Sequence, residues 1–265
     1  HYFTVSCVLV PSLTVLYVHM RNGRGSERLL LAALVMTAIS LLIPILCVSR
    51  FQLVFAVLLA AFTYISLQKL FHPGWLFGLF VVMIPFYLIL TVARSHNIEY
   101  LNGIFEMKNA SMPIFVSQPY IYIANNYDNF NFLVGALPGH SFGLKGLFPL
   151  WALSGLKFFF PQLINFPIYV DKTELTTLTL FYDSYYDFGW IGVLLFSCIL
   201  GAIAYILVVK LREMRNPLGY LLYAQFAAYL MLSFFTTWFS NTTTWFYLIL
   251  TGIMALFYHL RASRW

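Results

Sequence analysis

The sequence predicts an all-α membrane protein, a bundle of transmembrane helices with about seven spans. Hydrophobic residues make up 61% of the 265 residues and charged residues only 9%, and the mean hydropathy is +0.82. About 25% of the residues in a soluble domain are charged, so this chain could not cover a soluble surface. Several apolar runs reach the ~20 residues that a helix needs to cross a bilayer, and they lack the alternation of barrel strands.

Seven apolar segments are predicted to span the membrane, and together they form a single integral membrane domain over 1–265. In chain order they are 2–19, 29–48, 51–67, 75–93, 188–209, 217–239 and 244–260. The chain begins inside an apolar stretch, without an initiator Met or the basic start of a signal peptide, and we expect it to lack an N-terminal part. Cys7, Cys47 and Cys198 lie in apolar runs, where we expect small buried hydrophobic side chains.

The basic residues fix the expected orientation. They follow the first, third, fifth and last spans: Arg21, Arg24, Arg28, Lys69, Lys210, Arg212, Arg215, Arg261 and Arg264. Short basic loops belong in the cytoplasm, so the long segment 94–187 is predicted to be extracytoplasmic. That side carries seven of the nine Asp and Glu residues. The net charge of +6 is therefore a topology signal, and we expect no nucleic-acid partner.

Several functional classes lack support in the sequence. A seven-helix receptor is excluded because the largest connection lies between spans four and five, and the Asp-Arg-Tyr and Asn-Pro-x-x-Tyr motifs are absent. No phosphate-cradling glycine loop, HExxH or GxSxG pattern is present, so nothing indicates ATP hydrolysis, zinc proteolysis or serine hydrolysis. We expect neither a metal nor a cofactor.

The segment 94–187 is too long for a structureless connection and has the composition of a functional element. Its part 113–133 is rich in Tyr, Asn and Phe, and the short amphipathic stretches 142–151 and 158–161 are too short or too polar to span. We expect these stretches at the membrane interface, where aromatic rings lie at the level of the lipid headgroups. The segment would then form a roof beneath which an amphiphilic ligand could bind.

The end of this segment has the residue types of a carbohydrate site. If 181–190 is helical, Asp183 and Asp187 share one face at i and i+4, and Tyr182 and Tyr186 form a second pair. Sugar C–H faces stack on aromatic rings, and sugar hydroxyls pair with carboxylates and amides. An ordinary aromatic belt at the membrane surface accounts for the tyrosines equally well.

Arg50 and Arg94 are predicted at the outer ends of two spans, where positive charge is disfavoured. A guanidinium fork matches phosphate oxygens, so the pair suits a diphosphate headgroup. The alternative is snorkelling, or pairing with Glu99 or Asp187. His96 is a candidate proton carrier or further diphosphate contact.

The order of these features resembles the oligosaccharide repeat-unit polymerases, the O-antigen and capsule polymerases of bacterial inner membranes. The matching elements are Ser49-Arg50 at the start of a span, the tyrosine-rich 120–130, Thr176-Thr-Leu-Thr, and Tyr185-Tyr-Asp-Phe-Gly-Trp-Ile-Gly192. The resemblance covers about 45–210.

The resemblance implies a multi-pass, metal-independent glycosyltransferase of the inner membrane whose active site faces the periplasm. A glycan on undecaprenyl diphosphate would move to the terminal hydroxyl of a new lipid-linked repeat unit, with membrane lipids and a chain-length regulator protein as further partners. Arg50 and Arg94 would bind the diphosphate. Asp187 is the preferred general base, with Asp128 and Asp183 as alternatives and His96 assisting. The expected sugar-binding residues are Tyr120, Asn125, Asn126, Tyr182 and Tyr186.

Two alternatives remain open at the level of the sequence. An O-antigen ligase-like transferase would share the lipid diphosphate donor and differ in the acceptor. A lipid-linked oligosaccharide flippase or another transporter should show charges near the bilayer midplane and, often, repeated halves. Here the polar residues cluster at one rim of the spans, which favours chemistry on the outer face. Carboxylate pairs also serve glycoside hydrolases, but seven spans and an outer arginine pair argue against that class.

Overall fold

The computed structural model describes residues 6–21, 26–47, 49–68, 74–92, 97–211 and 213–262, and all regular elements in these ranges are helical. The prediction of an all-α fold is confirmed for this part of the chain. After a 3₁₀ turn at Ser6–Leu9, the α-helices are α1 Val10–Arg21, α2 Glu27–Leu46, α3 Arg50–Leu67, α4 Gly74–Val92, α5 Ile98–Ile104, α6 Ile114–Ala136, α7 Phe148–Leu153, α8 Tyr182–Leu211, α9 Leu218–Met231 and α10 Thr242–Ala262.

Three helices in the described ranges are long and apolar enough to cross a membrane. They are Glu27–Leu46, Tyr182–Leu211 and Thr242–Arg261. Ser6–Arg21, Phe51–Leu67 and Leu218–Met231 are shorter apolar helices. These helices indicate a membrane protein, while the number of seven spans stays a prediction.

The chain divides into two compact units. The first comprises His1–His96, Ile206–Ala228 and Tyr247–Trp265. Its helices α1, α2 and α3 pack together around buried leucines, and two pairs of polar side chains join neighbouring helices. Thr37 Oγ1 donates to Thr14 Oγ1 at 2.8 Å, and Gln225 Nε2 donates to Thr251 Oγ1 at 2.7 Å. Such interhelical hydrogen bonds satisfy polar groups where lipid offers none.

The second unit comprises Asn97–Tyr205 and Tyr229–Phe246, and α6 is its organising helix. The buried face of α6 carries three asparagines whose amides hold non-helical segments in place. Asn125 Nδ2 and Asn129 Nδ2 both donate to Leu175 O, at 3.0 and 2.7 Å, and Asn126 Nδ2 donates to Phe234 O at 2.6 Å. A buried carbonyl outside a helix needs such a donor, because leaving it unpaired costs free energy.

Helix α8 is kinked near its start, and two glycines make the kink feasible. Gly189 has φ +63° and ψ −148°, a backbone region that is essentially restricted to glycine. The kink folds the first turns back so far that a Cβ on Gly192 would lie 2.2 Å from Ser184 O. The positions of the side chains before and after the kink therefore require glycine at residues 189 and 192.

We expect Gly192→Ala to destabilise the protein by about 2 kcal/mol or more, because the added methyl group meets a main-chain oxygen that cannot move aside. Gly201→Ala is the matched control, since a Cβ at Gly201 of the same helix meets nothing within 4 Å. Thermal unfolding in detergent, followed by tryptophan fluorescence, measures both. Equal midpoints for the two variants would contradict the kink geometry.

Candidate functional site

The polar centre of the second unit lies where the first turns of α8 meet the loop 140–147. Asp187 is 3% exposed, and its carboxylate takes three donors from this loop. Oδ1 accepts from Ser141 Oγ and, at 3.1 Å, from Lys145 N, while Oδ2 accepts from Gly146 N at 2.8 Å. A Cβ on Gly146 would lie 2.6 Å from Oδ2, so only glycine lets the loop approach this closely. Asp187 thus anchors the loop.

Asp183 lies one turn earlier on the same helix, as the predicted i and i+4 spacing requires. It is 5% exposed, and its Oδ1 lies 3.8 Å from the Nζ of Lys145. The hydroxyls of Thr237 and Ser240 face this carboxylate from the polypeptide that precedes α10. Within the described ranges Asp183 Oδ1 accepts no hydrogen bond. Among the described residues, the Lys145 ammonium is the cation that faces this carboxylate.

The Lys145 ammonium is the cation of this buried cluster, which holds one positive and two negative groups. It lies over the ring of Tyr186, 4.5 Å from the centroid, and 5.8 Å from the centroid of Tyr182. Burial lowers the pKa of Lys145 below its ordinary value, while the charges of Asp183 and Asp187 act in the opposite direction.

Tyr182 and Tyr186, two of the predicted sugar-binding residues, belong to the core of the unit. They are 0% and 4% exposed and pack with Leu133 of α6. The Tyr182 hydroxyl donates to Tyr169 O at 2.7 Å and accepts from Tyr169 N at 2.8 Å. Both rings therefore contact the Lys145 ammonium from the core of the unit.

An apolar cavity of about 500 Å³ lies beside the cluster, within the second unit. Aliphatic and aromatic side chains form most of its wall: Leu147, Leu180, Leu195, Phe196, Ile199, Phe239 and Trp245. Its polar groups come from Ser184, Asp187 and Ser240. A cavity of this kind accepts an apolar chain whose polar end is held at one side.

A second cavity of about 590 Å³ has a more polar lining than the first and brings together three predicted residues on α6, and we call it the polar groove. Tyr120, Asn125 and Asp128 line it from the helix, and the segments 105–108 and 171–172 form its other walls. Tyr120 is 59% exposed, and Asp128 is also exposed. The fourth predicted residue of α6, Asn126, is fully buried and does not line the groove.

The side chains of the two predicted diphosphate-binding residues lie outside the described part of the chain. Arg50 is the first residue of α3, and its side chain is outside the described part of the chain. Arg94 and His96 lie outside the described residues altogether.

Sequence reasoning missed several members of the two sites. No motif marks Lys145, Lys172, Asp171, Thr237 or Ser240 in the sequence. Lys145 is 38 positions before Asp183 in the numbering, so no local spacing connects them. In the described ranges no group of three or more His, Cys, Asp or Glu side chains is placed to hold a metal ion.

Comparisons of the chain with protein-family models, with curated proteins and with solved structures gave no match.

Proposed function

We propose that the protein is an oligosaccharide repeat-unit polymerase of the bacterial inner membrane, with seven or more spans and its active site on the periplasmic face. The observation that carries this proposal is the apolar cavity, whose wall also holds Ser184, Asp187 and Ser240. A lipid-linked glycan likewise joins an apolar part to polar ones, because it consists of an isoprenoid chain, a charged diphosphate and a polar saccharide.

The cavity suits the lipid part of such a substrate. Leu195, Phe196 and Ile199 of its wall belong to α8, one of the helices long and apolar enough to cross a membrane. An isoprenoid chain entering from the bilayer would remove apolar surface from water at both partners, worth about 25 cal/mol per Å². The diphosphate would then lie toward the polar end of the cavity, beside Ser184, Asp187 and Ser240.

The proposed reaction is a displacement at the anomeric carbon of the donor glycan. The terminal hydroxyl of the acceptor unit forms the new C–O bond, the bond from the anomeric carbon to the diphosphate oxygen breaks, and undecaprenyl diphosphate leaves. Charge that develops on this leaving group needs preorganised cations, and this is the role that the sequence predicts for Arg50 and Arg94.

The proton of the attacking hydroxyl needs a carboxylate, and we assign it to Asp183 rather than to Asp187. Asp187 already accepts three hydrogen bonds from its own loop. Asp183 Oδ1 accepts none in the described part, and Ser240, which faces Asp183, also lines the cavity. The Ser240 hydroxyl could therefore pass the proton inward.

The direct test gives the reconstituted protein a synthetic lipid-diphosphate-linked repeat unit without nucleotide. We expect a ladder of polymer lengths on a gel from wild type and a loss of about 100-fold or more for Arg50→Ala. Arg215→Ala is the control, because Arg215 is exposed and belongs to a loop predicted on the opposite side.

Each outcome of this test decides something. A ladder from Arg50→Ala would keep the polymerase and overturn the diphosphate role of that arginine. A single transfer to a different lipid acceptor, without a ladder, would replace the polymerase by a ligase-like transferase. If folded wild-type protein transfers no glycan but moves the lipid-linked unit across the vesicle membrane, the protein is a transporter.

A further inference from the structure

The polar groove is built with walls that are fixed independently of any ligand. Asn102 Nδ2 donates to Ala110 O at 2.8 Å and to Met112 O at 2.7 Å, which holds the turn after α5. On the other wall, Asn129 Oδ1 accepts from Asp171 N at 3.0 Å. Buried amides thus pin both non-helical walls to the protein. A rigid groove of this kind loses little conformational entropy when it binds a ligand.

One of the groove's cations is used within the protein. Lys172 Nζ forms an ion pair with Glu106 Oε2 at 3.0 Å and donates to Ile104 O at 3.2 Å, the carbonyl at the end of α5. This ion pair connects the two non-helical walls of the groove. The remaining charged side chains of the lining are Lys108, Asp128 and Asp171. Each is exposed, and none forms an ion pair within the described ranges.

The groove presents hydrogen-bond acceptors beside an aromatic ring. Asn125 is only 3% exposed, and its Nδ2 is held by Leu175 O, so its Oδ1 is oriented by a fixed partner. In the described part no donor satisfies this Oδ1. Asp128 and Asp171 add two carboxylates, which accept hydrogen bonds and cannot donate them when ionised. The Tyr120 ring, largely exposed, offers a face for stacking.

A ligand that matches this lining has donors and an apolar face, and it carries no negative charge. Sugar hydroxyls and protonated amino groups donate to carboxylates and to an amide oxygen, while sugar C–H groups stack on a ring. A uronate would place a carboxylate near Asp128 and Asp171, which outnumber Lys108, the one lining ammonium without an ion pair in the described ranges, so like charges repel and acceptors face acceptors. The lining carries three carboxylates and two ammonium groups, so its net charge is −1.

We propose that the polar groove is a glycan-binding subsite that selects neutral or amino sugars over anionic sugars. The inference rests on the proposed function, because it names the class of saccharide that the polymerase would accept. Asp128 and Asp171 determine the selectivity, and Tyr120 contributes stacking to every sugar that enters.

The test uses three β1,4-linked trisaccharides with the same backbone: trimers of glucosamine, of glucose and of glucuronic acid. Binding to the purified full chain in detergent is measured by saturation-transfer-difference NMR at low ionic strength, at a pH where the amines are protonated and the uronates ionised. We expect the glucosamine trimer to bind about threefold or more tightly than the glucuronic acid trimer, with a difference that shrinks as salt is added.

Three variants make the test specific. Asp128→Asn combined with Asp171→Asn should remove the charge preference, while Glu99→Gln, an exposed acid outside the groove wall, should keep it. Tyr120→Ala should weaken all three trimers by a similar factor. Equal or tighter binding of the glucuronic acid trimer, binding of none of the trimers, or a preference that survives the double variant would each overturn the proposal.

The outcome of this binding experiment does not depend on the outcome of the polymerase test. Binding of trimers requires no lipid diphosphate and no turnover, so charge selection without a gel ladder would discard the polymerase and keep the groove. A ladder from a protein that does not discriminate between the trimers would discard the groove's selectivity and keep the polymerase.

Discussion

Replacing Asp187 with alanine is expected to lower the free energy of unfolding by about 3 kcal/mol or more. The substitution removes the acceptor for Ser141 Oγ, Lys145 N and Gly146 N together. The two main-chain donors would be left facing the space of a residue that is 3% exposed, where leaving a buried donor unpaired costs about 1–3 kcal/mol. The loop 140–147 should detach and the apolar cavity should lose one wall. Thermal unfolding in detergent, followed by tryptophan fluorescence, measures the change.

Asp128→Ala is the matched control, because Asp128 is exposed and has no hydrogen bond or ion pair to protein within the described ranges. Asp187→Asn should fall between the two, since one amide oxygen can replace part of the acceptor set. If Asp187→Ala unfolds at the temperature of Asp128→Ala while it loses all polymer formation, Asp187 is a catalytic base and our assignment of an anchoring role is wrong.

The part of the fold that could be predicted from the sequence depends on local patterns. Composition and continuous apolar runs indicate helices in a membrane, and the spacing of four places Asp183 with Asp187 and Tyr182 with Tyr186 once the segment is helical. Helix α8 does begin at Tyr182. These inferences need only neighbours along one helix, which is why the sequence contains them.

The roles of the asparagines could not be predicted in the same way. An amide serves a sugar hydroxyl and a main-chain carbonyl equally well, so the residue type leaves the partner open. Asn125 and Asn126 donate to Leu175 O and Phe234 O, which are 50 and 108 positions away. Only the packing of those distant segments against α6 decides that the amides hold the protein together. Asn125 also lines the polar groove.

The end of α9 shows that hydropathy alone does not predict where a helix ends. The predicted span 217–239 carries no charged residue, yet the helix ends at Met231 after 14 residues. Beyond it, Ser233 O accepts from Leu180 N at 2.8 Å, and the Trp238 indole donates to Leu232 O at 2.9 Å. These tertiary hydrogen bonds replace helical ones at equal hydropathy, so an apolar window cannot distinguish the two conformations.

Lys145→Met is expected to lower the free energy of unfolding by about 3–5 kcal/mol, because it leaves two buried carboxylates without their cation. The Lys145 side chain is 12% exposed and that of Asp183 is 8% exposed, so water cannot take over this role. The double variant Lys145→Met with Asp183→Asn should recover much of the loss, since it removes one of the uncompensated charges. Chemical unfolding in detergent measures the free energy of unfolding of Lys145→Met, of Asp183→Asn and of the double variant. A double variant that is as unstable as the sum of the two single variants would show that the residues do not interact.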